Sequence, residues 1–237
     1  MQMGQSDEDA RRRRSPSETV PGARRPRISR RRALASVVAL GAAGALLSAR
    51  SRGERSQPLP ADRLRPPGAL AEAAFLDACV RCGLCVQACP YDVLQLAELG
   101  GPVPAGTPYF IARANACRMC EDIPCVPACP TGALDHALID IRQARMGVAA
   151  LSDPQRCYSA SGQAYCRSCF QACPIKGEAI RMVQGHTRAG GLFQPVVDSD
   201  HCTGCGLCEQ ACILEGDAAI TVRASDAAPS PDGDGHA

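Results

Sequence analysis

The sequence contains no tryptophan and only four tyrosines and four phenylalanines in 237 residues. So few aromatic side chains argue against a large, conventionally packed core and against a surface on which single-stranded nucleic acid would stack its bases. The longest stretch without a charged residue, 33–49, has 17 residues and is rich in Ala and Gly. It is therefore short and weakly hydrophobic for a stable transmembrane helix.

Excess positive charge is confined to one end of the chain. The first 55 residues hold thirteen arginines and five acidic residues, whereas the rest holds thirteen basic and nineteen acidic residues. Affinity for nucleic acid comes from cations that pair with phosphates. The mildly acidic main part therefore argues against nucleic acid as a partner.

The basic end has a pattern that is typical of exported proteins. Arg30 and Arg31 precede the uncharged run 33–49, and a basic region before a modest apolar run indicates an export signal. The arginine pair predicts a twin-arginine signal over 29–49, although Ala33 stands where this pattern usually has Phe. An uncleaved anchor and a basic tail before a core helix are the alternatives.

The remaining boundaries follow from composition. Residues 1–28 are charged and Pro-rich and are predicted to be a disordered basic n-region, because they cannot bury enough apolar surface to fold. Residues 50–68 are expected to be a linker. Residues 69–225 hold the cysteine motifs, and residues 226–237 are expected to be a disordered tail.

Sixteen cysteines are far above ordinary usage, and they fall into four motifs of four. The motifs are Cys79, Cys82, Cys85 and Cys89; Cys117, Cys120, Cys125 and Cys129; Cys157, Cys166, Cys169 and Cys173; and Cys202, Cys205, Cys208 and Cys212. The first has the C-x2-C-x2-C-x3-C-P spacing of bacterial ferredoxins. The second and third each have one lengthened gap, and the fourth lacks the final proline.

This spacing suits iron–sulfur chemistry. Two residues between cysteines let a tight loop turn three thiolates toward one cubane, and the fourth cysteine of such a motif ligates the neighbouring cluster. All sixteen cysteines are therefore predicted to be metal ligands of four [4Fe-4S] clusters. A disulfide scaffold, structural zinc, attached c-type haem and a Rieske centre fit the spacing less well. No other residues form a catalytic pattern, so an electron carrier rather than an enzyme is expected.

The motifs are expected to pair as outer with outer and inner with inner. Residues 81–89 match residues 204–212 at seven of nine positions, and the motifs with lengthened gaps lie between them. This nested order, which resembles four-cluster subunits of molybdenum oxidoreductases, places Cys212 with the first motif and Cys89 with the fourth. It likewise exchanges Cys129 and Cys173 between the inner motifs. Pairing of the first motif with the second and the third with the fourth is the rival.

The expected fold class is α+β, with two ferredoxin-like, bacterial dicluster units whose short strands and helices surround four clusters. Strands are predicted at 195–198 and 219–222, before and after the fourth motif, and at 178–183 after the third. Units this small have thin cores and depend on their metal for stability.

Several stretches without cysteine make the family recognisable. They include Arg63-Leu64-Arg65-Pro66-Pro67-Gly68-Ala69, Ala105-Gly106-Thr107-Pro108-Tyr109-Phe110 and Ala144-Arg145-Met146-Gly147. Together with the motifs, they resemble the MauM/NapG ferredoxin-type family over residues 63–223, and most closely its NapG branch.

The resemblance implies periplasmic electron transfer. Proteins of the NapG branch act with a NapH-like polytopic membrane ferredoxin-type protein that oxidises quinol. Electrons then pass toward the periplasmic nitrate reductase, directly or through a multihaem cytochrome. Association with the membrane through the partner or an uncleaved signal is expected. Methylamine utilisation, a subunit of a molybdenum enzyme and a cluster-bearing maturation factor are the alternatives.

Overall fold

A computed structural model describes residues 59–187 and 190–224, which belong to one unit spanning Ala49–Ala237. The predicted n-region at 1–28, the predicted signal at 29–49 and the predicted tail at 226–237 lie outside the described residues. Among the helices of the described ranges, none is long and apolar enough to cross a membrane.

The secondary structure is mixed and consists of short elements. Helices α1 to α4 span Glu72–Ala78, Leu84–Gln87, Ser168–Ala172 and Leu207–Gln210, and a 3-10 helix spans Ile141–Gln143. Strands β1 to β6 span Gln95–Leu96, Pro108–Tyr109, Val148–Leu151, Ile180–Thr187, Gly190–Val197 and Ile220–Arg223. The expected mixture of helices and strands is confirmed.

The strands form three separate antiparallel pairs, β1 with β2, β3 with β6, and β4 with β5. In the β3–β6 pair, Val148 lies opposite Arg223 and Leu151 lies opposite Ile220. Ile220 and Val222 on β6 are buried, as expected when alternate residues of a strand face the core. This pair joins the segment after the second motif to the segment after the fourth.

The strands predicted beside the third and fourth motifs are present. β5 ends at Val197 just before the fourth motif, β6 begins at Ile220 just after it, and β4 begins at Ile180 after the third. β4 and β5 pair along their whole length as a hairpin. Each cysteine loop of the second half is therefore held by a strand.

The core is built from aliphatic residues, two phenylalanines and cysteines. Its main cluster includes the fully buried side chains of Leu64, Phe75 and Phe110, and cysteines from the first, second and fourth motifs are buried in it. Cysteine side chains thus contribute to the core of a chain that has few aromatic residues.

The linker predicted over 50–68 is shorter than expected, because residues 59–68 are packed into the fold. Leu64 is completely buried and pairs with Phe110 through two backbone hydrogen bonds of 2.9 and 2.8 Å. The Arg65 guanidinium lies 4.7 Å from the Phe75 ring centroid and donates to Glu72 and Thr107. The prediction failed because Arg and Pro suggest a solvated segment, whereas a guanidinium is readily buried when its donors are satisfied.

Candidate metal centre

The first and fourth motifs form nearly identical loops. Gly83 and Gly206 precede helices α2 and α4 with φ of 75° and 86°. Glycine adopts this left-handed conformation without steric cost. Each helix is four residues long and carries one buried cysteine, Cys85 or Cys208. The similarity of residues 81–89 to 204–212 thus reflects a shared local structure.

The same turn recurs inside the C-x2-C pairs of three motifs. The residue just before the second cysteine has positive φ in each, at 60° for Arg81, 57° for Met119 and 73° for Gly204. Positive φ is uncommon for residues other than glycine. The repeated conformation turns both thiols of the pair to one side of the loop.

The structure collects the sixteen cysteines into four groups, which we name sites A to D. Site A is Cys79, Cys82, Cys85 and Cys129; site B is Cys89, Cys117, Cys120 and Cys125; site C is Cys173, Cys202, Cys205 and Cys208; site D is Cys157, Cys166, Cys169 and Cys212. Each site takes three cysteines from one motif and the last cysteine of another.

Sites B, C and D are cavities of closely similar size. Their volumes, which include space open to solvent, are about 380, 390 and 400 Å³, respectively, and each cavity is lined by its four cysteines and by mainly apolar neighbours. Cavities with the same four donors and nearly the same volume suit a common occupant.

Site A is recognised from the mutual influence of its thiols. Burial raises the pKa of Cys85 to about 11, and the charges of Cys79, Cys129 and Cys82 act in the same direction. Cys129 belongs to the second motif, whereas the other three belong to the first. The first two motifs therefore share this site.

Burial also governs the thiols of the other sites. It raises the pKa of Cys117 and Cys125 to about 12 and that of Cys169 and Cys205 to about 11. Burial, and after it the charges of neighbouring cysteines, raises the pKa of Cys208 well above its ordinary value. A bound cation compensates such burial, because the ligand form of cysteine is the thiolate.

Several sulfurs also accept hydrogen bonds that favour the thiolate. The amide of Val93 donates to Cys89 Sγ at 3.4 Å, and the amide of Ala149 donates to Cys202 Sγ at 3.5 Å. Burial raises the pKa of the Cys129 thiol, but hydrogen bonds from the amides of Leu134, Thr131 and Ala133 outweigh burial and lower it. Sequence reasoning did not find these donors, because backbone amides leave no pattern in the sequence.

The nested pairing is wrong. It placed Cys212 with the first motif and Cys89 with the fourth, whereas Cys212 lies with the third motif and Cys89 with the second. The exchanges of Cys129 and Cys173 fail likewise, because Cys129 joins the first motif and Cys173 the fourth. The first and second motifs instead form one ferredoxin-like unit, and the third and fourth motifs form a second one. Each unit combines one motif of regular spacing with one that has a lengthened gap.

All sixteen cysteines lie in the described residues and are free thiols, so none forms a disulfide. In the same residues, no three His, Cys, Asp or Glu side chains converge closely enough to hold a single metal ion. The four-cysteine sites match the donor set of a [4Fe-4S] cubane, which takes one thiolate per iron. The residues present therefore fit this cofactor.

Comparison with known proteins agrees with the grouping. The 4Fe-4S dicluster domain family (Fer4_7) matches residues 78–133, which enclose the first two motifs, and residues 164–214, which enclose the fourth and most of the third. No solved structure gives a significant match.

Several relatives are named MauM or NapG. The chain is 56% identical to the methylamine utilization ferredoxin-type protein MauM of Methylobacillus flagellatus, over 71% of each chain. It is 49% identical to the ferredoxin-type protein NapG of Escherichia coli, over 81% of this chain and 84% of the relative. It is 47% identical to MauM of Paracoccus denitrificans, over 85% of this chain and 90% of the relative. The chain belongs to the MauM/NapG family of ferredoxin-type proteins and is an iron–sulfur electron-transfer protein.

Proposed function

We propose that this chain carries four [4Fe-4S] clusters and relays electrons in the periplasm, from a membrane partner that oxidises quinol toward the periplasmic nitrate reductase. It acts as an electron carrier and not as a catalyst. The observation that carries the proposal is the division of all sixteen cysteines into four groups of four, with none left over. A bound [4Fe-4S] cluster supplies one-electron chemistry.

The charges of cysteines in neighbouring sites raise one another's pKa, which supports a linear order A, B, C, D. The charge of Cys85 at site A raises the pKa of Cys125 at site B. Cys205 at site C likewise raises the pKa of Cys117 at site B, and Cys169 at site D raises the pKa of Cys208 at site C. Sites B and C therefore lie inside the row, and sites A and D lie at its two ends. Electrons would enter at one end and leave at the other.

The protein tunes the sites through burial and hydrogen bonds. Reduction potentials of iron–sulfur clusters span about −700 to +450 mV and depend on solvent exposure and on hydrogen bonds to sulfur. Cys82 at site A is exposed, whereas Cys202, Cys205 and Cys208 at site C are all buried. We infer that sites A and C differ in potential because water reaches only one of them freely.

The nitrate pathway is proposed from the NapG relatives, such as the one that is 49% identical. In this assignment the donor is a NapH-like polytopic membrane ferredoxin-type protein. The acceptor is periplasmic nitrate reductase or a multihaem cytochrome. A role in methylamine utilisation is the second candidate, favoured by the MauM relative that is 56% identical. Restoring quinol-dependent nitrate reduction in a strain that lacks its NapG-type protein supports the first candidate, and restoring only growth on methylamine supports the second.

Export by the twin-arginine route is proposed from Arg30 and Arg31. This route carries proteins that have folded around their cofactor, which suits a protein assembled with its clusters in the cytoplasm. The test replaces both arginines with lysine and measures the protein in periplasmic and cytoplasmic fractions. Retention of the variant in the cytoplasm supports the proposal, and unchanged export of the variant contradicts it.

Anaerobic iron and sulfide analysis tests the number of clusters. Four cubanes predict about sixteen iron atoms and about sixteen sulfides per chain. About eight of each would contradict the four-cluster proposal. Rapid reduction by quinol with the membrane partner contradicts a maturation factor, and purification without a large catalytic chain contradicts a subunit of a molybdenum enzyme.

A further inference from the structure

The loop that carries Cys212 has little support of its own. It follows helix α4 and runs to strand β6, and residues 211–219 contain no helix or strand. Ile213, Glu215 and Gly216 are exposed. Within the described ranges, no backbone amide donates to the carbonyl oxygens of Cys212, Leu214 or Gly216. The amide of Cys212 donates to the carbonyl of Glu209 at 3.2 Å, but the chain that follows Cys212 needs support from elsewhere to hold this cysteine in place.

The half-buried side chain of Arg113 supplies these hydrogen bonds. Its Nη1 donates to the carbonyls of Glu209 at 2.8 Å and Cys212 at 2.9 Å, with a longer contact of 3.5 Å to Gln210. Its Nε donates to the carbonyl of Gly216 at 3.0 Å, and its Nη2 donates to the carbonyl of Leu214. One guanidinium thus engages three carbonyls of the loop and two at the end of helix α4.

A second side chain strengthens the connection between the end of helix α4 and the segment that carries Arg113. The Gln210 side-chain amide donates to the carbonyl of Ala114 at 3.1 Å, next to Arg113 in the chain. The last carbonyls of a helix have no partner within the helix, and a cation that donates to them is favourable. Only arginine has five donors in a planar fork, so lysine cannot reproduce this set of bonds.

Arg113 lies between the first and second motifs, which build sites A and B, whereas the loop supplies the fourth cysteine of site D. We propose that Arg113 is the positioning residue for Cys212, so that the first unit holds a ligand of the outermost site of the second. Assembly of site D then depends on a folded first unit. This inference rests on the proposed function, because it takes Cys212 to be a cluster ligand.

The test compares the iron-loaded wild-type protein with Arg113→Ala, Arg113→Lys, Cys212→Ser and the double variant R113A/C212S. Iron content is measured under anaerobic conditions, and the signals and potentials of individual clusters are followed by electron paramagnetic resonance during reductive titration. We expect R113A to lose about four of about sixteen iron atoms, or to change the signal and potential of one cluster alone. The affected cluster should be the one affected by C212S.

Two comparisons separate positioning from general stability. In the double variant we expect no iron loss beyond that of C212S, because both changes act on the same ligand. The iron content and the cluster signals of R113K should be closer to those of R113A than to those of the wild type. Arg142→Ala is the control, since Arg142 is an exposed arginine that bonds Glu178 at 2.8 Å, and this variant should keep the iron content and all four signals of the wild type.

The outcomes can be told apart. If the wild-type protein holds far fewer than about sixteen iron atoms, the proposed function fails and the inference fails with it. If the wild type is fully loaded and R113A and R113K both keep four unchanged signals and potentials, only the role of Arg113 is contradicted. If R113A does not fold, R113K decides, because a loaded R113K with all four clusters unchanged also contradicts it.

Discussion

The backbone amide of Cys117 donates a hydrogen bond of 2.9 Å to the carbonyl of Cys205, so the inner ligand loops of the two units are in direct contact. The contact continues at the next residues, where the buried Thr203 hydroxyl donates to Met119 Sδ at 3.4 Å. The amide of Met146 in turn donates to the carbonyl of Thr203 at 2.9 Å. Sites B and C are therefore neighbours through their own ligand loops.

Glycines in the fourth motif make this close approach possible. A Cβ atom at Gly206 would lie 2.5 Å from Cβ of Ala112, and one at Gly204 would lie 2.3 Å from the backbone nitrogen of Gly147. We predict that Gly206→Ala lowers the stability of the loaded protein by about 1–3 kcal/mol through overpacking, beyond the cost of positive φ. The measurement is the Tm under anaerobic conditions, which should fall by about 2–4 °C per kcal/mol in a chain of this size.

Gly177→Ala is the control for this prediction. Gly177 has φ of 90°, close to the 86° of Gly206, but nothing lies within 4 Å of a Cβ atom placed there. It therefore reports the cost of the left-handed conformation alone, about 1–2 kcal/mol. Equal Tm values for the two variants would contradict the close packing at Gly206.

The pairing of the motifs predicts non-additive losses of iron. Cys212 and Cys157 belong to the same site, so the double variant C157S/C212S should lose no more than one cluster, about four iron atoms. Cys212 and Cys79 belong to different sites, so C79S/C212S should lose two clusters, about eight iron atoms. Iron analysis of the two double variants and of the three single variants, C79S, C157S and C212S, makes the comparison. The opposite pattern would restore the nested pairing.

Local structure at the cysteines was predictable because it depends on near neighbours. Residues 81–89 match residues 204–212 at seven of nine positions, and φ values of 75° at Gly83 and 86° at Gly206 show that the two motifs form equivalent loops. The strands beside the motifs followed from runs of β-branched and apolar residues. These features need no information about distant parts of the chain.

Pairing was not predictable, because it depends on contacts between distant residues. The similarity of the first and fourth motifs reflects how each loop arranges three of its own cysteines. It does not indicate which other motif supplies the fourth cysteine of the site. That choice follows from contacts outside the motifs, such as the bond of 2.7 Å from the Asp135 amide to the Gly68 carbonyl around the first two motifs and the pairing of β4 with β5 between the last two. Arg113 was missed for a similar reason, since its partners are backbone carbonyls, which any residue type supplies.

The ion pair at the beginning of the described residues predicts a large loss of stability on substitution. Arg65 and Glu72 lie 2.6 Å apart with side chains only 7% and 16% exposed. Arg65 also donates to the Pro108 carbonyl at 2.8 Å and lies over the Phe75 ring. Because removal of one partner leaves a charge in a poorly solvated position, Arg65→Ala should cost about 3–5 kcal/mol.

An exposed ion pair of similar length is the control. Arg142 and Glu178 lie 2.8 Å apart, but their side chains are 54% and 56% exposed. Solvent screens such pairs, so Arg142→Ala should cost at most about 1 kcal/mol. Thermal unfolding of the loaded proteins should therefore place the Tm of R65A well below that of R142A. A Tm for R65A that equals that of R142A would show that burial of the pair does not matter.

Removal of iron should unfold much of the protein. Its strand pairs are short and separate, and its main core includes cysteine side chains from three of the four motifs. Without metal, these thiols lose the bonds that hold the loops together, and small domains of this kind owe their folding free energy to the metal. We expect anaerobic chelation to abolish most of the far-UV circular dichroism signal and the cooperative thermal transition, and reconstitution with iron and sulfide to restore both. The loaded protein incubated without chelator is the control. A chelated protein that keeps the spectrum and a sharp transition would mean that the polypeptide folds through its apolar contacts alone.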